Sequence, residues 1–392
     1  MVHSKSNEYK KASLHTRTRS AYGEAQTQED KKSITTGKPL TAPHTPVSGR
    51  RGISPAPKDM KELKEQKEQK DTKEDGAKSK IEGKQKQGQQ KLGVMKRGVL
   101  LIDRFDIREM ISFGGSAEVY KAYDRSTKKE VCVKVDIKDK ARLKLEIQAL
   151  AELRGTPFVP EILAYGEHTD RGFIVMRLTG KSLMELRNAR KSRHFTQETL
   201  FRVGKKIVSA LEAVHQAGWV HRDVKPANCC IGRLDSSRIY LLDFGISRQC
   251  KTTHGEMKKP RKMAQFRGTF KYASIDAHLK KEQGPSSDLQ SLIYSMVEMG
   301  TGTLPWTAKL HGDEGRAAKA QQDIDILKMK RDQTAPKLCA SFPQPFQALA
   351  KYILGLNYHS APDYKKIQSL LDDSLPPGLT LDDWYDWELS GE

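Results

Sequence analysis

Residues 218–232 read Gly218-Trp219-Val220-His221-Arg222-Asp223-Val224-Lys225-Pro226-Ala227-Asn228-Cys229-Cys230-Ile231-Gly232, and this stretch decides the fold. Asp223 is followed two residues later by Lys225 and five residues later by Asn228. That spacing suits phosphoryl transfer. One carboxylate must meet an attacking hydroxyl, one amide oxygen must hold a metal on the phosphate side, and a cation between them neutralises charge as the phosphoryl group moves. A second signature follows at Leu241-Leu242-Asp243-Phe244-Gly245. Its two apolar residues read as the end of a short strand, with Asp243 placed to bind magnesium. Either tripeptide, His-Arg-Asp or Asp-Phe-Gly, could fall by chance on a surface loop. Both in this order, with Lys225 and Asn228 in place, make chance a poor account.

Toward the amino terminus, residues 105–113, 118–123 and 131–135 read as three short strands bounded by turn signals. The first turn is Ser112-Phe113-Gly114-Gly115-Ser116-Ala117. A phosphate-covering loop of the pattern Gly-x-Gly-x-x-Gly would place glycines where Ser112 and Ala117 stand, so only Gly114 keeps its place. The loop gains meaning from Lys134, which closes Val131-Cys132-Val133-Lys134 and suits a grip on the α- and β-phosphates of ATP. A helix is expected over 140–154, stopped by Gly155, with Leu143, Ile147 and Leu150 on its apolar face. Glu146 falls within that face, where a carboxylate is costly unless paired, and Lys134 is its obvious partner. Residues 161–166 and 172–178 read as two more strands leading to a hinge at Thr179-Gly180. Beyond it Thr196 suits an N-cap, and Leu200, Val203, Ile207, Leu211 and Val214 recur at helical spacing as core.

Composition divides the chain near residue 98. Residues 1–98 hold 23 Lys and Arg against 12 Asp and Glu, about half of the net charge of +20, and almost no apolar clusters. Such a segment buries too little apolar surface to offset chain entropy, so it is expected to be a disordered, basic, low-complexity tail. Residues 58–70 within it, Glu–Lys rich, suit a transient helix with no coiled-coil seam. A basic arm could touch nucleic acid or an acidic surface, but few aromatic residues are available to stack on bases, and a solvated linker is the favoured reading. No apolar run suggests a signal peptide or a bilayer span. The five cysteines, Cys132, Cys229, Cys230, Cys250 and Cys339, form no Cys-x-x-Cys pair. Free thiols in the cytoplasm, with the nucleus as a second setting, are expected.

The region from about Phe105 to Glu388 resembles the casein kinase 1 superfamily of protein kinases, closest to its tau-tubulin kinase branch. The activation segment lacks Ala-Pro-Glu and instead reads Phe266-Arg267-Gly268-Thr269-Phe270-Lys271-Tyr272-Ala273-Ser274-Ile275-Asp276-Ala277-His278. That is similar to the family's Gly-Thr-x-x-Tyr-Ala-Ser-Ile-Asn-Ala-His, with Asp276 in place of asparagine. Asp288-Leu289-Gln290-Ser291-Leu292, Gly302-Thr303-Leu304-Pro305-Trp306, Pro362-Asp363-Tyr364 and Tyr385-Asp386-Trp387-Glu388 add further matches. Ser287 stands where many relatives carry a first aspartate.

The resemblance implies an α+β, bilobal kinase fold over residues 99–390, with a β-rich N-lobe at about 99–178 and a mainly helical C-lobe at about 179–390. It implies ATP with Mg2+ and protein substrates phosphorylated on serine or threonine, as Lys225 also suggests. In that reading Asp223 handles the substrate hydroxyl proton, Lys225 steadies the phosphoryl group, and Asn228 and Asp243 hold the metal. Lys134, held by Glu146, aligns the phosphates. Thr269 bonds Asp223 and Lys225, and Asp288 braces the catalytic loop. Ile111, Gly114, Gly115, Val119, Cys132, Lys134, Met176 as gatekeeper, Arg177, Leu178 and Cys230 line the nucleotide pocket, with Cys132 and Cys230 as roof and floor.

Two rivals come from other classes. The altered glycine loop suits a pseudokinase-like scaffold, but Lys134, Glu146, Asp223, Asn228 and Asp243 are all present. A nucleic-acid binder driven by the basic arm is the other, and nucleic acid is not the expected partner. Between Lys251 and Lys281 nine Lys and Arg face only Glu256 and Asp276. Arg267 and Lys271 are therefore expected to form an anion site for acidic, phosphorylated or cytoskeletal protein substrates, the alternative being a solvated loop. A monomer is expected.

Overall fold

The structure, a computed structural model, describes residues 93–389 apart from 115, 139, 311–315 and 379–383. Residues 1–92, which hold most of the expected tail, and Gly115 of the glycine loop lie outside the described residues.

Period-two alternation builds the first lobe. In β3 (Ala117–Asp124) every second side chain is buried, and β4 (Lys129–Asp136) buries Val131, Val133 and Val135. These strands join β1 (Leu100–Leu101), β2 (Phe105–Phe113), β5 (Ile162–His168) and β6 (Arg171–Arg177) in one antiparallel sheet of order β1-β2-β3-β4-β6-β5. The β5–β6 turn is made by Thr169 and Asp170, both with positive φ, 46° and 63°. It lies tighter than the expected strand ends and extends β5 to His168.

Residues 93–98, placed in the tail on composition, belong instead to this lobe. Met95 is buried with Phe105, Ile107 and Tyr120, and its backbone N–H donates to Tyr120 Oη at 3.0 Å. Two adjacent apolar residues, Val94 and Met95, among Gly, Lys and Arg are too weak a signal to show that in sequence.

β6 presents its two faces to two cores. Phe173 and Val175 join the cluster inside the sheet, while Ile174 and Met176 face α1 (Lys140–Glu152) and belong to the core of the second lobe. α1 buries Leu143, Glu146, Ala149 and Leu150; Ile147 is only half-buried.

The second lobe is helical. Ser182 and Glu185 form a capping box at α2 (Leu183–Ala189). Thr196 caps α3 (Gln197–Gln216), accepting from the Thr199 N–H at 3.3 Å. The five apolar residues expected on α3 are all buried. After β7 (Trp219–Val220), β8 (Cys229–Ile231), β9 (Ile239–Leu241), β10 (Arg248–Gln249) and α4 (Ile275–His278), α5 (Pro285–Thr301) runs through the core. α3 and α5 cross at Gly204, where a Cβ would meet Met296 Cε at 2.5 Å. α6 (Arg316–Asp332), α7 (Ala335–Leu338), α8 (Gln344–Leu354) and α9 (Tyr364–Asp372) complete the described helices. Residues 384–389 clasp α3: Asp386 accepts from the Thr196 N–H and Oγ1–H, both at 2.8 Å, and Arg202 lies 4.2 Å over the Tyr385 ring. No helix among the described residues is long and apolar enough to cross a membrane.

Candidate active site

The loop between β7 and β8 cannot satisfy its own backbone, and α5 supplies the missing acceptor. The carboxylate of Asp288 accepts from the backbone N–H of His221 and of Arg222, both at 2.7 Å, and pairs with His215 Nε2 at 2.9 Å. Burial alone would raise the Asp288 carboxyl; the His215 hydrogen bond and charge, with His221, hold it below its ordinary value instead. Arg222 and Asp243 both adopt left-handed backbone, φ 68° and 65°, a conformation that non-glycine residues hold only when their surroundings insist. His221 ties the two loops: Nδ1 accepts from the Asp223 N–H at 3.2 Å, so Nε2 donates to the Leu242 carbonyl at 2.9 Å.

Asp223 is held on both oxygens. Thr269 Oγ1 donates to Oδ1 at 2.8 Å, and Lys225 Nζ donates to Oδ2 at 2.7 Å and to Thr269 Oγ1 at 2.9 Å. Asn228 Nδ2 donates to the Asp223 carbonyl at 2.9 Å, which leaves Oδ1 as the amide atom to face a cation.

Lys134 reaches the same cleft from β4. Its Nζ lies 2.6 Å from Glu146 Oε2 and 2.8 Å from Asp243 Oδ1. Burial disfavours the Lys134 charge, but the two carboxylates outweigh it and raise the group above the ordinary lysine range. For Asp243 burial again opposes, and Lys134 lowers the carboxyl to about 2. Glu146, the most enclosed of the three, is raised by burial against the pull of Lys134. An ionised Asp243 and the Asn228 amide oxygen are hard oxygen donors, which fit Mg2+. That ion takes one or two protein ligands and completes its shell with water and phosphate oxygens.

One cleft of about 280 Å³ is lined by Ser116, Ala117, Lys134, Glu146, Asp223 and Asp243, with Arg142, Phe266, Arg267 and Gly268. Of the described residues expected to hold nucleotide, Lys134 lines this cleft and the others do not. Val119 pairs across the sheet with Lys134, and Cys132 with Met176. Ile111 is exposed, and Gly114 closes the loop through N–H to the Ala117 carbonyl at 2.9 Å. The hinge glycine Gly180 donates to the Ile231 carbonyl at 2.8 Å, and Ser182 just beyond it pairs with Cys230. Burial pushes the Cys132 and Cys230 thiols up to about 12, so both are neutral apolar surfaces. The Arg177 side chain turns to Glu161, 2.6 Å away.

The pairing of Arg267 with Lys271 as one anion site is not what the structure shows. Arg267 lines the cleft. Lys271 Nζ instead lies 2.6 Å from Glu298 Oε1, which Arg187 Nη1 also meets at 2.6 Å, while Tyr272 Oη donates to Glu298 Oε2. Glu298 is buried within α5 and needs these donors, so Lys271 is committed inward. Sequence reasoning passed over Glu298 and Arg142. The signals were available: Glu298 follows the apolar pair Met296-Val297 near the end of a helix that is mostly buried, and Arg142 precedes Glu146 by one helical turn.

A profile of the protein kinase domain family matches residues 105–370. A protein of Dictyostelium discoideum, named as a probable serine/threonine-protein kinase, is 33% identical over 297 residues, covering 74% of this chain and 58% of that protein. A protein of Caenorhabditis elegans, whose name marks it as a candidate casein kinase I, is 34% identical over 216 residues, covering 53% of this chain and 63% of that protein. The chain thus spans less than two thirds of either relative's length.

Proposed function

The chain belongs to the protein kinase family, and on that premise we propose that it transfers the γ-phosphate of ATP to serine and threonine residues of proteins. The observation that carries this reading is the meeting of two hydrogen-bonded sets on one cleft, Lys134 with Glu146 and Asp243, and Asp223 with Lys225 and Thr269. Asp223 receives the acceptor hydroxyl and takes its proton as the bond to phosphorus forms. Thr269 and Lys225 keep its carboxylate from turning away. Lys225 sits 2.7 Å from that carboxylate, close enough to offset charge on the moving phosphoryl group. Lys134, oriented by Glu146, holds the phosphates that stay behind. Asn228 and Asp243 would hold magnesium, which when bound shields the phosphate charges.

Within the family we place the chain nearest the casein kinase 1 superfamily and its tau-tubulin branch, on the segment from Phe266 to His278 and the clasp at Tyr385-Asp386-Trp387. The preferred substrates are acidic or phosphorylated sites. With Lys271 turned inward, that preference rests on Arg267 and on Arg142, which line the cleft from opposite lobes. The rival scaffold reading would leave the Lys134 and Asp223 sets without a task.

The test is transfer of labelled phosphate from ATP and Mg2+ to casein by the full chain, with phosphoamino-acid analysis of the product. Labelled phosphoserine or phosphothreonine is the expected result. Incorporation no faster than in Asp223→Asn would overturn the reading.

A further inference from the structure

Lys330, near the end of α6, is 2% exposed. A buried ammonium is costly unless every N–H is used. Here all three are: Nζ donates to the Phe270 carbonyl at 2.8 Å, the Ala273 carbonyl at 2.7 Å and His278 Nε2 at 3.0 Å. The third bond requires a bare Nε2. Asp323 provides it by accepting from Nδ1–H of the same ring, which sets the tautomer. Tyr294 and Trp306 present ring faces to the cation, with centroids at 5.0 Å and 5.1 Å. Burial pulls Lys330 below the ordinary lysine range and Asp323 opposes it; three acceptors and two ring faces favour the charged form.

The carbonyls it holds are not arbitrary. The N–H groups of Tyr272 and Ala273 both donate to the Thr269 carbonyl, at 2.9 Å and 2.8 Å, so residues 269–273 form one tight turn. Lys330 grips that turn at Phe270 and Ala273, and Trp306 Nε1 donates to the Lys271 carbonyl between them at 2.8 Å. Thr269, at the head of the turn, is the residue that bonds both Asp223 and Lys225.

We propose that Lys330 is a positioning residue for the transfer step: it clamps the 269–273 turn from beneath so that Thr269 holds Asp223 and Lys225 in register. His278 and Asp323 complete the clamp by presenting the third acceptor. The nucleotide side, built by Lys134, Glu146 and Asp243, does not touch it. Turnover and ATP binding should therefore separate, which a general loosening of the lobe would not produce.

The inference rests on the transferase reading, and its test keeps the two apart. Lys330→Met keeps an unbranched side chain, one atom shorter, between the rings but donates nothing to the carbonyls. In the full chain kcat toward casein should fall at least about tenfold, a loss of roughly 1.4 kcal/mol of transition-state stabilisation, while KM for ATP stays within about twofold. Amide hydrogen exchange across 269–273 should accelerate. Asp323→Ala, a change at a partly exposed partner, guards against a Lys330 variant that does not fold; it should show the same split at several-fold size. Wild-type kcat in both variants, or KM for ATP rising in step with the loss of kcat, would overturn the clamp. If the wild-type chain itself transfers no phosphate, the proposed function fails. Hydrogen exchange then decides the clamp alone, and unchanged protection at 269–273 in Lys330→Met would overturn it.

Discussion

Lys271→Ala separates a strut from a substrate-binding group. Glu298 is 1% exposed at its side chain and receives Lys271, Arg187 and the Tyr272 hydroxyl. Removing Lys271 leaves the carboxylate paired with Arg187, so the loss is one charge-assisted hydrogen bond, about 1.5–3 kcal/mol. Lys271 is 20% exposed and partly hydrated, which favours the lower half of that range. Glu298→Gln should cost more, about 3–5 kcal/mol, because two cations then face each other without a counter-charge. The double variant should cost less than the sum of the two, with a coupling of about 1 kcal/mol or more. Urea unfolding followed by tryptophan fluorescence measures all three.

The pH dependence has a defined sign. Burial raises the Glu298 carboxyl, but Lys271, Tyr272 and Arg187 outweigh it and hold it below its ordinary value. A depressed carboxyl contributes stability above its unfolded pKa of about 4.3 and loses it as pH falls through the folded value. The gap between wild type and Lys271→Ala should therefore be full above about pH 5 and shrink on acidification. On peptides carrying Ala, Asp or phosphoserine near the acceptor, Lys271→Ala should keep the wild-type ratios of kcat/KM. Arg267→Ala should reduce them by up to about fivefold, the size of one exposed ion pair. Unchanged stability in Lys271→Ala together with loss of the acidic preference would refute the inward assignment.

Asp223→Asn should leave folding and ATP-induced thermal stabilisation intact while single-turnover transfer falls by about 10² or more; Lys134→Arg should also impair transfer, since a planar guanidinium cannot meet Glu146 and Asp243 as the ammonium does. A chain beginning at residue 93 should melt like one of all 392 residues, whereas one beginning at residue 99 loses buried Met95 and should be less stable by about 2–3 kcal/mol, measured by urea titration. Restoring glycine at Ser112 and Ala117 together should lower KM for ATP in steady-state assays, and a higher KM would mean that the loop depends on those side chains.

The catalytic set is legible in the sequence because its members are short-range signals. Asp223, Lys225 and Asn228 lie within six residues, and Asp243 lies two residues past β9, which pairs directly with β8. The pairing of Glu146 with Lys134 is legible because a carboxylate on an apolar helix face must find a cation, and Lys134 stands near the end of the strand that precedes the helix. Strand alternation over β3 and β4 and the helical spacing of α3 are legible for the same reason: one buried face imposes one period. What the sequence leaves open is which partner a charge chooses when several are in range. Lys271 and Arg267 sit four residues apart in the same basic segment, yet one turns inward to Glu298 and the other lines the cleft. Lys330 and Asp323 on one helix meet His278 and the carbonyls of Phe270 and Ala273 from a stretch more than forty residues earlier, and no local pattern marks that meeting. Those choices belong to tertiary structure. A buried charge is stabilised only by the donors and acceptors that packing delivers to it, and packing is decided by the whole chain at once.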